Sequence, residues 1–247
     1  MTGASDGYVE VWDVMQNKLR DLDYQNAGKF INHDKGVLCL NFSKEGDFLV
    51  TGSANGQIRV WQLATGKCIK KLDAAHTAGV TSVSFSKDNA TILSSSFDNT
   101  VKVHGLKSGN ALLTLEGHKS YVTGASYSNE QIVTWGADGY IRFFKSKTGE
   151  LVSEFQPGGL TTELLIYSVT QISAKRDHFL VCNRSPNLYI VDSKGVTTRV
   201  IENPQKVDFM QAIVSPKGSW IHAMAENRSI YCFPISLVCL IHDTSLP

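Results

Sequence analysis

One short stretch decides the fold, and its clearest copy is Asn55-Gly56-Gln57-Ile58-Arg59-Val60-Trp61. The Asn-Gly pair favours the tight turn of a β-hairpin, because both residues tolerate a positive backbone φ. The residues after the turn alternate between polar and apolar side chains, which is typical of a half-buried strand. The stretch therefore predicts a hairpin turn followed directly by a β-strand.

The same turn and strand recur at nearly regular intervals. The other copies begin at Asp6, Asp98, Asp138, Ser185 and Asn227, and the last two are weaker. Successive copies start 49, 43, 40, 47 and 42 residues apart. A repeat of about 40–45 residues with four strands is typical of one blade of a β-propeller. We therefore predict an all-β chain in which each repeat folds as one blade.

The number of copies predicts the extent of the propeller. Residues 1–233 are expected to form about five full blades and part of a first one, with a seventh blade missing. Residues 234–247 do not follow the repeat. They are expected to form a divergent C-terminal tail that contributes at most one outer strand. The predicted architecture is therefore an incomplete β-propeller.

Polar residues occupy matching positions in three of the repeats. A His lies 20–22 residues before the turn Asp or Asn, and a Ser or Thr lies four residues before that turn residue. A neutral His can donate to a carboxylate and share a hydrogen bond with a hydroxyl, while an indole N–H adds one more bond. Such a network would satisfy its own polar groups and stabilise each blade.

This pattern resembles the structural tetrad of WD repeats, and the resemblance implies one tetrad in each of three blades. Every copy departs from the WD pattern: the first lacks the turn carboxylate, and the second and third end in His104 and Phe144 instead of Trp. The residues of the implied tetrads are His33, Thr51, Asn55 and Trp61, then His76, Ser94, Asp98 and His104, then His118, Thr134 and Asp138.

The composition argues against several classes of function. The chain has 24 Lys and Arg against 23 Asp and Glu, so its formal charge of +1 provides no field that would attract nucleic acid. The five Cys form no Cys-x-x-Cys pair, and no cofactor or metal is expected. No apolar run has the length of a membrane span, and no signal-peptide pattern is visible. We therefore predict no direct nucleic-acid binding and no membrane binding.

Two motifs would suggest an enzyme, and each has a structural alternative. The stretch Gly3-Ala4-Ser5-Asp6-Gly7 matches the Gly-x-Ser-x-Gly nucleophile elbow, but a strand rather than a helix is expected after it. His76, His104 and His118 could bind a metal only if they converged, and they occupy different positions in their repeats. We therefore predict a protein that is not an enzyme and that acts through its surface.

Propellers bind partners through the loops at their rims. Residues just before the turn Asp, or just after the loop His, are expected to face one rim. Aromatic and Arg side chains dominate interface hot spots. The candidate partner-binding residues are therefore Phe97, Tyr121, Arg184 and Glu226. The alternative is that each of these side chains only packs locally.

Four stretches are more specific than the general WD pattern, and the three that begin at His104, Val181 and Ile230 depart from it. In these departures the chain resembles the Smu family of spliceosomal WD-repeat proteins, and the resemblance extends from about Thr2 to Phe233. The stretches are His104-Gly105-Leu106-Lys107-Ser108-Gly109, Val181-Cys182-Asn183-Arg184-Ser185, Ser215-Pro216-Lys217-Gly218-Ser219-Trp220-Ile221 and Ile230-Tyr231-Cys232-Phe233.

The resemblance implies a nuclear scaffold that acts in pre-mRNA splicing as a spliceosome component. Its implied partners are spliceosomal proteins, among them a RED-type protein. The LisH and CTLH segments of the family are not found in this sequence, which is expected to be truncated at both ends, so the activities of those segments are not inferred. A generic WD40 adaptor, such as a ubiquitin-ligase substrate receptor, is the alternative.

Overall fold

The computed structural model describes residues 1–10, 12–13, 15, 18–19, 32–157, 165–173 and 176–235. Every secondary-structure element in these ranges is a β-strand, and the strands are numbered β1 to β23 in chain order. The chain divides into two compact units, Met1–Ser126 and Tyr127–Pro247. The sheets of both units are antiparallel, as expected for strands joined by hairpins.

The first unit begins with two short strand pairs and continues with two larger sheets. The pairs join β1 (Thr2–Gly3) to β2 (Val9–Glu10) and β3 (Trp12–Asp13) to β4 (Lys18–Leu19). One sheet has the order β5-β6-β7-β8, with the bounds Val37–Phe42, Phe48–Ser53, Ile58–Gln62 and Lys67–Leu72. The next has the order β12-β11-β10-β9, and β9 to β12 are Val80–Phe85, Thr91–Ser96, Val101–Gly105 and Ala111–Leu115.

The division between the units falls inside β13 (Val122–Ser128), the first strand of the sheet β13-β14-β15-β16. Strands β14 to β16 are Gln131–Gly136, Ile141–Lys145 and Leu151–Phe155. The second unit then contains the sheet β17-β18-β19-β20, with the bounds Ile166–Ser173, Arg176–Asn183, Asn187–Asp192 and Thr197–Glu202. Its last sheet has the order β21-β22-β23, with the bounds Phe209–Val214, Trp220–Ala225 and Ile230–Pro234.

In the five sheets with three or four strands, the recurring turn has the same place, between the second and third strands. Asn55-Gly56 joins β6 to β7, and Asp138-Gly139 joins β14 to β15. The expectation of an all-β chain with one sheet for each repeat is therefore confirmed. Within the described residues, four sheets have four strands and the last has three.

The last sheet continues slightly past residue 233, where the repeats were expected to end. Pro234 pairs with Trp220, and the backbone N–H of Ile235 donates to the carbonyl of Ser219 at 2.9 Å. These two residues of the predicted tail therefore belong to the last repeat. The rest of the predicted tail, residues 236–247, lies outside the described residues.

A glycine in the turn is required by the loop that follows it. Gly7 and Gly56 have φ values of 91° and 83°. Their carbonyl groups accept hydrogen bonds from the backbone N–H groups of His33 and His76 at 2.8 and 3.1 Å. A Cβ on either glycine would collide with the carbonyl oxygen of the same histidine. The turn of one repeat thus holds the His-containing loop of the next repeat against it.

The middle strands of the four-stranded sheets are buried on both faces. Ile58–Trp61 in β7 and Leu188–Val191 in β19 are runs of four consecutive buried residues. Consecutive residues of a strand point to opposite faces, so each of these strands has apolar contacts on both sides. In the first unit, for example, Val50 and Val60 of one sheet pack in one cluster with Val80 and Ile92 of the next.

Candidate interaction sites and buried polar networks

The second implied tetrad forms a hydrogen-bonded network around His76. Its Nδ1 lies 2.9 Å from Asp98 Oδ2, and its Nε2 lies 2.9 Å from Ser94 Oγ. The Asp98 carboxylate also accepts bonds from the Thr77 backbone N–H at 3.0 Å and the Thr100 hydroxyl at 2.7 Å. The spacing in the sequence therefore brings these polar groups together, and each satisfies another inside the protein.

Burial and hydrogen bonding set the charges in this network. Burial of the imidazole lowers the pKa of His76, although Asp98 acts in the opposite direction. For Asp98, burial raises the pKa, but the hydrogen bond from Thr100 and the proximity of His76 outweigh it and lower the pKa to about 2. The carboxylate is therefore ionised at neutral pH and the imidazole is neutral.

His104, at the final position of this tetrad, joins it by ring packing. The rings of His76 and His104 meet edge to face, with centroids 6.2 Å apart. His104 Nε2 is buried and has no hydrogen-bond partner within the described residues. Burial, together with the nearby His76 and Lys102, lowers the pKa of His104 to about 4. This side chain therefore fills space in the blade without extending the network through Nε2.

The first implied tetrad is only partly assembled, and the inclusion of Asn55 was wrong. Thr51 Oγ1 accepts a bond from Trp61 Nε1 at 2.9 Å and lies 2.7 Å from His33 Nε2. Asn55 is exposed, and its Oδ1 accepts a bond from the Ser53 hydroxyl at 2.5 Å instead. His33 Nδ1 is buried without a hydrogen-bond partner in the described part of the chain. The Asn55 side chain is therefore not a hydrogen-bond partner of His33 Nδ1.

The charge state of His33 follows from its burial. Burial and the nearby Arg59 lower the pKa of His33 to about 4, although Asp34 and the Gln57 side chain act in the opposite direction. The ring is therefore neutral at physiological pH, like His76. Unlike His76 Nδ1, which is bonded to Asp98, His33 Nδ1 has no carboxylate partner in the described residues.

The residues of the third implied tetrad are all buried. His118 lies in the first unit, and Thr134 and Asp138 lie in the second. Asp138 accepts a hydrogen bond from Arg142 Nη1 at 2.8 Å, and each of these two side chains is only 3% exposed. Arg142 Nε also donates to Glu154 at 2.9 Å. The turn carboxylate of this repeat is therefore half of a buried ion pair.

Basic residues in the third strand of the sheets form a set of contacts that the sequence analysis missed. Arg59 and Lys102 donate to the carbonyl groups of Asn32 and Ala75, at 2.7 and 2.8 Å. Each of those carbonyls belongs to the residue just before the loop His. The sequence does carry a signal for these residues. A Lys or Arg lies four residues after the turn residue in three repeats, at Arg59, Lys102 and Arg142. Arg59 and Lys102 thus hold the loops of His33 and His76 in place.

Two of the candidate contact residues, Phe97 and Tyr121, touch each other in the first unit. Their ring centroids are 5.3 Å apart, and Phe97 is 48% exposed. A Cβ built on Gly79 would lie 3.0 Å from a methyl of Leu38 and 3.2 Å from the Phe97 ring, and Leu38 is also exposed. We call Leu38, Phe97 and Tyr121 the aromatic patch. Leu38 was missed because it lies at the start of a strand, not beside a turn.

The backbone holds the aromatic patch in place. The Phe97 N–H donates to the Gly79 carbonyl at 2.9 Å, and the equivalent bond in the preceding repeat runs from Ala54 to Gly36 at 2.9 Å. The residue before the turn is thereby fixed against the loop of its own repeat. Large apolar side chains that are exposed on a fixed backbone can bind a partner with little loss of conformational entropy.

The other two candidates, Arg184 and Glu226, form an exposed ion pair in the second unit. Arg184 Nη2 and Nε donate to Glu226 Oε1 at 2.6 and 3.1 Å. The hydrogen bond with Glu226 raises the pKa of the guanidinium. An exposed pair of this kind adds little to the stability of a fold. Both charges therefore remain available at the surface for contact with a polar partner.

The stretch that matches the nucleophile elbow lies in a β-hairpin. Ser5 is exposed in the turn between β1 and β2, so a strand follows it, and a helix is required for a nucleophile elbow. In the described residues, no group of three His, Cys, Asp or Glu is placed to hold a metal ion. In the same residues, no helix is long and apolar enough to span a membrane.

Comparison with known proteins identifies the family. A family model described as the Vps8 beta-propeller matches residues 1–135, more than half of the 247 residues. The WD40 repeat-containing protein smu1 of Dictyostelium discoideum is 36% identical over 98% of this chain. The chain belongs to the WD40 β-propeller family. The predicted fold class and the resemblance to the Smu proteins are thereby confirmed.

Two other relatives are less similar over the length of this chain. Subunit I of eukaryotic translation initiation factor 3 from Aspergillus oryzae is 24% identical over 80% of the chain and 61% of its own length. The nuclear distribution protein nudF of Aspergillus niger is 33% identical, but only over 29% of the chain and 15% of its own length. The WD40 chain spans 47% of the length of smu1, about half.

Proposed function

We propose that this WD40 chain is a protein-interaction scaffold that acts in pre-mRNA splicing, as a component of the spliceosome in the nucleus. Its proposed partners are spliceosomal proteins, including a RED-type protein. The aromatic patch is the proposed contact surface in the first unit, and the Arg184–Glu226 pair is a second contact surface in the second unit.

The observation that carries the scaffold function is the exposure of the aromatic patch. Leu38 and Phe97 are each 48% exposed, and Phe97 and Tyr121 are in ring contact. Large aromatic side chains are the commonest anchors of protein interfaces, because they bury a large area with few rotatable bonds. Three neighbouring apolar side chains at the surface favour a protein partner over a small polar ligand.

The assignment to splicing rests on sequence similarity. The 36% identity to smu1 extends over 98% of the chain, whereas the similarity to the initiation-factor subunit is 24% over 80%. The identity to smu1 is higher than the identity to the initiation-factor subunit, and this difference supports membership of the Smu group. The stretches His104–Gly109 and Ile230–Phe233, which differ from the general WD pattern, support the same assignment.

The test is co-purification of partners from nuclear extract with the tagged chain. We expect spliceosomal proteins, with a RED-type protein among them, to bind the wild-type chain. The variant Phe97→Ala/Tyr121→Ala should lose most of this binding. Leu112→Ala is a matched control, because Leu112 is 56% exposed on the outer strand β12.

Three results would contradict parts of the proposal. Capture of a ubiquitin-ligase adaptor without spliceosomal proteins would support the alternative adaptor function. Equal loss of binding in the Leu112→Ala control would mean that the aromatic patch is not a specific contact. Full binding by the double variant would exclude the patch as a contact surface.

A further inference from the structure

The last strand of the sheet β5-β6-β7-β8 carries an unbalanced positive charge. Strand β8 contains three lysines, and no Asp or Glu occurs between Asp47 and Asp73. The only other charged residue between those two acids is Arg59, so the three lysines and this arginine give the stretch a formal charge of +4. The whole chain has a net charge of +1. This edge of the sheet is therefore much more basic than the chain as a whole.

The last strands of the other four-stranded sheets do not share this charge. Strand β12 has no charged residue, β16 has one Glu, and β20 has one Arg and one Glu. Lysines on an edge strand often protect it from pairing with another copy. The uncharged β12 is also the last strand of its sheet and lacks this protection. Protection of an edge therefore does not by itself explain the three lysines of β8.

The exposed side chains of β8 combine charge with one apolar residue. Lys67, Ile69 and Lys71 are exposed, and Ile69 is 46% exposed. Within the described residues, neither Lys67 nor Lys71 forms an ion pair. Both ammonium groups are therefore available to a negatively charged partner.

The strand register adds a repulsion at the same edge. Lys71 lies directly opposite Arg59 on β7. Like charges at opposite positions of neighbouring strands destabilise a sheet. The Arg59 guanidinium is bonded to Asp34 and to the Asn32 carbonyl, at 2.8 and 2.7 Å. A carboxylate brought beside Lys71 by a partner would offset the repulsion that remains.

Lys70 extends the basic surface to the next repeat. Its Nζ donates to the carbonyl of Lys107 at 2.8 Å, in the connection between β11 and β12. Lys107 is itself exposed, and residues 106–110 contain no Asp or Glu. We call the surface formed by these residues the basic edge, and it consists of Lys67, Ile69, Lys70, Lys71 and Lys107.

We propose that the basic edge binds an acidic, extended segment of a partner protein, which adds to β8 as a further strand. Strand β8 is the end strand of its sheet, so the backbone groups along its free side can pair with an extended peptide. Acidic side chains of the added strand lie beside Lys67 and Lys71, and an apolar side chain packs on Ile69. Leu38 of the aromatic patch lies on β5, at the opposite edge of the same sheet, so the two contact surfaces are separate.

The basic edge fits a protein segment better than a nucleic acid. A phosphate backbone pairs with lysines, but it does not form the ladder of N–H and C=O bonds that an edge strand offers. Proteins that bind single-stranded nucleic acids combine basic residues with aromatic side chains on which the bases stack. The basic edge contains no aromatic residue. Its exposed apolar residue is Ile69, which suits a β-branched side chain of a neighbouring strand.

The test is fluorescence anisotropy of the full chain with a labelled peptide that repeats Glu-Glu-Val. Side chains alternate between the faces of a strand, so this repeat presents Glu on both faces. We expect saturable binding that Lys67→Glu/Lys71→Glu weakens at least about tenfold. Lys194→Glu/Lys217→Glu changes the net charge by the same amount at two exposed lysines of the second unit. This control variant should bind the peptide like the wild-type chain.

Two further peptides separate charge from strand pairing. A Gln-Gln-Val repeat keeps the length and the strand preference without the charge, and it should bind at least about tenfold more weakly. A Glu-Glu-Pro repeat keeps the charge, but proline lacks the backbone N–H and disfavours a strand. This peptide should also bind at least about tenfold more weakly.

Urea unfolding distinguishes a lost contact from a lost fold. Lys71→Glu places a carboxylate opposite Arg59, where the wild-type chain has two like charges. The double variant Lys67→Glu/Lys71→Glu should therefore be at least as stable as the wild-type chain while it binds the peptide more weakly.

Several outcomes would overturn the proposal. One is a wild-type chain that does not bind the Glu-Glu-Val peptide. Equal affinity for the Glu-Glu-Pro peptide would show attraction between charges without an added strand. Binding that Lys67→Glu/Lys71→Glu leaves unchanged would place the contact elsewhere. A single-stranded RNA that binds more tightly than the peptide, and that the same variant no longer binds, would assign the basic edge to nucleic acid.

Discussion

His76 Nδ1 lies 2.9 Å from Asp98 Oδ2, across 22 residues of sequence. An ionised carboxylate can only accept hydrogen bonds, so the proton of this pair is on His76 Nδ1. His76 Nε2 then accepts from the Ser94 hydroxyl, 2.9 Å away. One histidine thus links the loop before a blade to both the second strand and the turn of that blade.

Replacing Asp98 should destabilise the protein. In Asp98→Ala, His76 Nδ1 loses its acceptor while it remains buried, and the exposed Thr77 N–H loses one as well. We expect the free energy of unfolding to fall by about 1–3 kcal/mol, measured by urea denaturation. Asp73→Ala, at an exposed position, is the control and should change it by less than about 0.5 kcal/mol. Wild-type stability of Asp98→Ala would contradict the role of the network.

Replacing Asn55 with Asp should stabilise the protein. Asn55→Asp supplies the carboxylate that His33 Nδ1 lacks, in the position that Asp98 has in the next repeat. We expect stabilisation of about 1 kcal/mol, seen as a rise in Tm of about 2–4 °C in a thermal melt. Asn55→Ala should be nearly neutral, because the side chain is exposed. No gain from Asn55→Asp would mean that the outward position is set by the backbone rather than by the amide.

Lowering the pH should reduce the free energy of unfolding, and His104 should contribute to this loss. Burial lowers the pKa of His104 to about 4, below the unfolded value of about 6.5. The unfolded chain therefore binds a proton first, and stability is lost as the pH falls from about 6.5 to 4. His33 acts in the same direction, with its pKa also lowered to about 4. Asp98 adds to the loss below its unfolded pKa of 3.8, down to about pH 2.

The contribution of His104 can be measured separately by replacing it with Phe, the residue at the same position in the next repeat. Phe144 stands at the same position in the next repeat, so His104→Phe removes the titration and keeps an aromatic ring. We expect the loss of stability between pH 6.5 and 4.5 to shrink by roughly 1–3 kcal/mol in this variant. Urea unfolding at several pH values measures it. An unchanged pH dependence would show that His104 does not titrate on unfolding.

Removing both charges of the buried Asp138–Arg142 pair should destabilise the protein less than removing the Arg142 charge alone. Arg142→Met leaves the Asp138 carboxylate buried without its cation, and we expect a cost of about 3–5 kcal/mol. The double variant Asp138→Asn/Arg142→Met should recover part of that loss. A double variant as unstable as the two single losses combined would show that the two charges are not coupled.

The sequence predicted the features that depend on local spacing. The turn at Asn55-Gly56 and the meeting of His76 with Asp98 follow from residues at fixed positions within one repeat. The outward position of Asn55 could not be predicted, because it depends on competition from the Ser53 hydroxyl. The position of Leu38 and Phe97 on either side of Gly79 depends on how neighbouring sheets pack. The spacing of residues within a single repeat does not predict contacts between sheets.

Site-specific photocrosslinking can show whether the aromatic patch binds spliceosomal proteins. A benzophenone amino acid is placed at position 97, or at position 112 as the control, and the full chain is irradiated in nuclear extract. We expect crosslinks from position 97 to spliceosomal proteins, and we expect these crosslinks to be absent from position 112. Identical crosslinks from both positions, or crosslinks from position 97 only to proteins outside the spliceosome, would contradict it.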